Sequence, residues 1–204
     1  MGIAHSKERA ITRNLIIPYI SDILQDFPVN ITTLVKKYFM YIKDNNIEYL
    51  FDNNLSTLIK EKRKIDIKEL LRQYAFYINE FDIKYFFDFD CEQLLSNTEL
   101  EQIRKDLINE THKRPIPIWN NNLSDNDWTN MCKENERVAI GRFTDIEKFN
   151  NSDYIKFNEK CLEAHEYNTQ VHAIDFSIIE PLNQRILPFD TISSSNWSKE
   201  MRKY

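Results

Sequence analysis

Glycine is nearly missing from this chain, which has two, Gly2 and Gly141. Phosphate-cradling loops, dinucleotide fingerprints and nucleophile elbows need glycine where the backbone approaches a ligand closely or takes a positive φ. None of them can be built here in recognisable form. Long apolar runs are also missing: the longest, from Leu15 to Ile20, is broken by Pro18 and is far too short to span a bilayer. The three cysteines, Cys91, Cys132 and Cys161, are odd in number and far apart, with no CxxC pair and no secretory signal ahead of them. That usage leads us to expect a reducing compartment such as the cytosol. There is no basic excess either. A net charge of −5 and a pI near 5.5 argue against a general nucleic-acid binder, which needs a basic face to release counterions.

What remains is an ordinary globular composition. With 204 residues, 42% hydrophobic and 29% charged, the chain is long enough for one domain, or two small ones, with a core that needs no disulfides. Residues 1–6, MGIAHS, fit the pattern for N-myristoylation at Gly2, and Lys7 and Arg9 follow. One acyl chain gives only marginal membrane binding, so the expectation here is weak, reversible membrane contact.

Between Pro28 and Pro115 no proline intervenes, and apolar residues recur at helical spacing, as in Ile31, Leu34, Val35, Tyr38, Phe39 and Ile42 and again in Ile67, Leu70, Leu71, Tyr74 and Ile78. The two stretches superpose as a repeat. Asn30 falls on Asp66, Leu34 on Leu70, Val35 on Leu71, Tyr38 on Tyr74 and Ile42 on Ile78. Each copy reads as two helices joined by a short turn, with Asn30 or Asp66 as the N-cap of the second. After His112 the texture changes to Pro- and Asn-rich segments, so residues 113–204 read as a loop-rich arm with short helices, one around 152–166.

The stretch from Tyr19 to Lys43, with Ile23-Leu24 closing a first helix, a turn holding Pro28 and Asn30, and the aromatic pair Tyr38-Phe39 closing a second, resembles the RIIa-type dimerisation and docking domain of cyclic-AMP-dependent kinase regulatory subunits. The second copy, from Tyr49 to Leu71, is similar to the related helix pair of small ciliary proteins. The resemblance covers residues 15–79. It implies a bundle of two helix pairs, formed within the chain as a pseudo-dimer or between chains as a homodimer, whose apolar face holds an amphipathic helix of a protein partner. Ile20, Ile23, Leu24, Ile31, Leu34, Val35, Tyr38 and Phe39 would line the paired helices, with Ile20, Ile23 and Leu24 touching the docked helix. A lone two-helix unit cannot cover its apolar stripes, which is why such units pair.

Residues 88–99 are similar to an EF-hand loop, with oxygen-bearing side chains at Asp88, Asp90, Glu92, Ser96 and Glu99, but Gln93 stands where the turn glycine belongs. The expectation is a degenerate loop, or simply a helix N-terminus. Cys161 and His165 share a helix face, and His172 is the one further histidine nearby. Neither a zinc set nor an oriented nucleophile pair is complete. The acid pairs Asp88/Asp90 and Asp125/Asp127 read as caps and turn residues. Trp119, Trp128, Phe143, Phe149, Tyr154, Phe157 and Phe176 supply many aromatic anchors for a region of little periodicity, which suggests a partner surface.

The sequence therefore predicts a mainly α protein divided into an N-terminal segment 1–14, a tandem docking module 15–79, an EF-hand-like helical segment 80–112 and the arm 113–204. The expected function is a non-enzymatic adaptor without cofactors that anchors a partner helix within a larger assembly, cytoplasmic and, by the resemblance, of ciliary or axonemal type. The competing reading is a myristoylated, calcium-responsive membrane-associated protein of EF-hand type. A third reading, an enzyme, would need a site assembled from Cys161, His165 and distant acids.

Overall fold

A computed structural model of the chain describes residues 39–45, 48–53, 55–60, 62, 64–90, 94–120, 122–141, 151–174 and 188–192. The chain divides into two compact units, Met1–Pro115 and Ile116–Tyr204.

In the first unit, residues 39–44 are helical, followed by α1 (Leu55–Lys60), α2 (Ile67–Glu80) and α3 (Asn97–Thr111). Helix α2 starts at Asp66, whose carboxylate accepts the amides of Lys68 and Glu69 at 3.1 Å, satisfying donors the helix cannot pair internally. Its apolar stripe, Leu70, Leu71, Tyr74, Ala75 and Ile78, faces inward. The helix ends in a Schellman motif. Ile83 N donates to Ile78 O at 2.8 Å, Asp82 N donates to Asn79 O at 3.3 Å, and Asp82 takes the left-handed conformation (φ 49°) that glycine usually fills.

Helix α3 opens on a capping box of Ser96 and Glu99 and packs its Ile103 and Leu107 into the same core. At the centre stands Tyr74, fully buried. Its ring stacks on Phe51 at 5.1 Å and meets the edges of Phe86 and Phe89. Its hydroxyl proton is shared between the carbonyls of Phe51 (2.8 Å) and Phe87 (3.0 Å). Those two segments also pair directly, through a parallel bridge between Phe51 and Phe86.

The second unit overturns the mainly α expectation and the loop-rich arm over 113–204. It contains a four-stranded, wholly parallel sheet whose spatial order is the chain order, β1 (Ile118–Trp119), β2 (Arg137–Ile140), β3 (Gln170–Ala173) and β4 (Thr191–Ile192). Helix α4 (Asp125–Glu134) crosses from β1 to β2, and α5 (Asn151–Glu166) from β2 to β3. The protein is mixed α/β.

Val138, Ile140, Val171 and Ala173 join Trp119 in packing against Trp128 and Cys132 of α4 and Phe157, Cys161 and Ala164 of α5. The opposite face carries Ala139 and His172, also buried. Strands covered on both faces lose the apolar/polar alternation that betrays a strand in sequence, and strands of two to four residues leave too few positions for any period to show. Thr169 ties this unit together, donating from its hydroxyl to the carbonyls of Cys132 (2.6 Å) and Asn135 (2.9 Å).

Candidate functional site

The predicted lipidation site Gly2 and most of the predicted docking residues, Ile20, Ile23, Leu24, Ile31, Leu34, Val35 and Tyr38, lie outside the described part of the chain. Phe39 is described. It is buried, stacked on Phe81 with ring centroids 4.1 Å apart, and in edge contact with Phe51. It belongs to the core of the first unit and at the same time borders an open groove of about 460 Å³.

Phe39, Tyr49, Phe81 and Tyr85 give that groove aromatic walls, and Lys43, Glu48, Asp82 and Lys84 supply charges of both signs. Burial, reinforced by the Asp82 carboxylate, pushes the Tyr49 hydroxyl up to about 12, so it stays a neutral donor at physiological pH. Asp82 is held charged by hydrogen bonding to Lys113 Nζ at 2.6 Å, which lowers its pKa. The helical residues 39–44 turn Phe39 and Ile42 inward and leave Met40 and Tyr41 61% and 60% exposed. Exposed apolar side chains therefore continue the helix that supplies the groove wall.

The EF-hand-like positions serve other purposes. Asp88 is buried and ion-paired with Arg104, and its Oδ1 accepts the amide of Phe89 at 2.8 Å. Burial raises the Asp88 pKa against the opposing pull of the guanidinium. Ser96 and Glu99 turn toward one another in the capping box of α3: the Ser96 amide and hydroxyl donate to Glu99 Oε2 at 2.9 and 2.7 Å. Asp90 is half-buried, and Glu92 lies outside the described residues. Among the described residues no group of three or more His, Cys, Asp or Glu converges as a metal site.

Cys161 and His165, adjacent on α5, point to different environments. The Cys161 thiol is fully buried and pushed up to about 12 by desolvation and then by the Asp190 carboxylate. His165 Nε2 lies 3.0 Å from Asp190 Oδ2, which also accepts the amide of Val171 at 2.7 Å. Cys132 is likewise buried, its thiol pushed up to about 12 by desolvation first and Glu163 second. A nucleophilic cysteine needs its thiolate, and these two thiols are held far from it. His172 is buried between strands, its Nδ1 2.7 Å from Thr191 Oγ1, and desolvation followed by the nearby Arg137 charge depresses its pKa to about 3.

The sequence reading missed Lys160. Its side chain is 5% exposed on the core-facing side of α5, with Nζ 2.9 Å from Asp125 Oδ1 at the first turn of α4 and 4.3 Å from the centre of the Trp119 ring. A lysine in register with Phe157, Cys161 and Ala164 was the available signal, since charged residues seldom sit on an apolar stripe without a partner.

Comparison of the chain with protein-family models, with curated proteins and with solved structures finds no match. No helix among the described residues is long and apolar enough to cross a membrane.

Proposed function

We propose that the protein is a non-enzymatic adaptor that docks an amphipathic helix of a protein partner. The observation that carries this reading is the aromatic groove bordered by Phe39, continued on the same helical turn by the exposed Met40 and Tyr41. An amphipathic helix offers what such a surface takes, an apolar stripe for the ring-lined floor and flanking charges for Lys43, Lys84, Glu48 and Asp82. The environments of Cys132 and Cys161 speak against a cysteine nucleophile, because burial keeps both thiols protonated. The likeness of residues 15–79 to tandem docking units supports helix recognition in particular, and it is the sole support for an axonemal setting.

Fluorescence anisotropy of a labelled amphipathic anchoring helix, titrated with the full chain, tests the proposal. Saturable binding that weakens about tenfold or more in Tyr41→Glu, and separately in Ile23→Asp, is the expected result. Titrations that stay flat with the folded chain, or that both variants leave unchanged, exclude a docking groove here.

A further inference from the structure

From the second unit we infer an oxyanion-binding site, for the carboxylate or phosphate head of a ligand, formed by Lys160 and Lys156 beside the carboxyl end of β1. Lys160 is the anchor. Its ammonium is buried, yet among the described residues it makes one hydrogen bond, to Asp125 Oδ1 at 2.9 Å, while the rings of Trp119 and Trp128 lie 4.3 and 5.3 Å away. An ammonium has three donors, and indole faces attract its charge without accepting its hydrogen bonds as a carbonyl would. Burying a cation with most of its donors unused is costly unless something else supplies acceptors.

The partner it does have is unevenly placed. Lys160 is 5% exposed, whereas Asp125 is 85% exposed. The carboxylate thus reaches in from solvent, as a replaceable ligand would, to a charge fixed by the fold. Lys156, one turn earlier on α5 and exposed, sets a second ammonium 5.1 Å from the same Trp119 ring. The Trp128 indole N–H is a further buried donor in this cluster with no hydrogen-bond partner among the described residues.

The buried polar atoms of the cluster left with unused hydrogen bonds, on Lys160 and Trp128, are donors. Trp119 ends β1 and Asp125 opens α4, which leaves it, so the cluster sits at the carboxyl end of β1. In this arrangement Asp125 is an internal occupant that an external oxyanion displaces.

Trp119 and Trp128 report on the site directly. In a Trp197→Phe background of the full chain, inorganic phosphate and acetate are titrated separately against tryptophan fluorescence, with sodium chloride at matched ionic strength as control. We expect a saturable change with phosphate, with acetate or with both, the two arms telling which head group is taken. Asp125→Asn should tighten binding by removing the competing carboxylate. Lys156→Gln, which alters an exposed side chain and spares the core, should weaken it about tenfold or more. A response that sodium chloride reproduces, or one that both variants leave unchanged, overturns the proposal and leaves Lys160 and Asp125 as a structural pair.

Discussion

Glycine scarcity is felt most sharply at single residues. Lys62, Asp82, His112 and Asn168 all take positive φ, between 49° and 58°, at places that follow or end helices. At Asn168 the pattern of Asp82 recurs: Thr169 N donates to Ala164 O at 2.9 Å and Asn168 N to His165 O at 3.0 Å. A side chain with a Cβ in this conformation is strained by about 1 kcal/mol, least for Asn and Asp. His112 caps α3 at φ 54° and is exposed, so His112→Gly should raise stability by about 0.5–1 kcal/mol in urea denaturation, and an unchanged or lower midpoint would show that the cap is unstrained. A second residue-scale expectation concerns Asp88. Its pKa is raised in the fold, so the protonated form is favoured there, and stability from this group is greatest at low pH and lost as pH rises through the folded value. Arg104 offsets that loss. Arg104→Met should therefore cost more at pH 8 than at pH 5, at most about 3 kcal/mol because the guanidinium is 44% exposed, and an equal cost at both pH values would place the effect in packing.

At the scale of the element, sequence and structure agree where one helix decides its own limits. Asp66 and the stripe Leu70, Leu71, Tyr74 and Ile78 define α2 without help from the rest of the fold, because cap and stripe lie within one helix. Ser96 and Glu99 show how the same letters serve two readings. As loop positions they suggest calcium ligands, but serine followed three residues later by glutamate is also a capping box, and in the fold both side chains serve the α3 amides. Tyr74 links elements instead of completing one. Its hydroxyl holds the carbonyls of Phe51 and Phe87, so Tyr74→Phe should lower stability by about 1–3 kcal/mol with the ring packing preserved, and a neutral result would mean that water satisfies those carbonyls. The short strands could not be read at this scale. Arg137–Ile140 and Gln170–Ala173 become strands by pairing with each other in parallel, a partnership between residues some thirty positions apart that neither segment encodes alone.

At the scale of the whole molecule, the two units differ in how acid acts on them. His172 in the second unit has its pKa depressed to about 3, below the usual histidine value. Its contribution to stability is complete above about pH 6.5 and falls as pH drops toward 3, because the unfolded chain takes up the proton first, at a slope approaching about 1.4 kcal/mol per pH unit. All three tryptophans, Trp119, Trp128 and Trp197, belong to that unit. The tryptophan-detected urea midpoint should therefore fall steadily from pH 7 to pH 4, and His172→Gln should flatten the slope; a midpoint independent of pH would mean that the imidazole is reached by solvent. By itself, the sequence determined what local rules govern: α2 with its Asp66 cap, the helical α5, the exclusion of glycine-dependent phosphate loops and the want of any long apolar run. Tertiary structure alone decided that β1 to β4 pair as a parallel sheet, that Asp88 meets Arg104, and that Lys160 lies beside two indoles and Asp125. The reason is physical. Caps and helical stripes depend on residues a few positions apart, whereas strand pairing, buried ion pairs and ligand sites depend on chain segments that come together only once the whole core has formed.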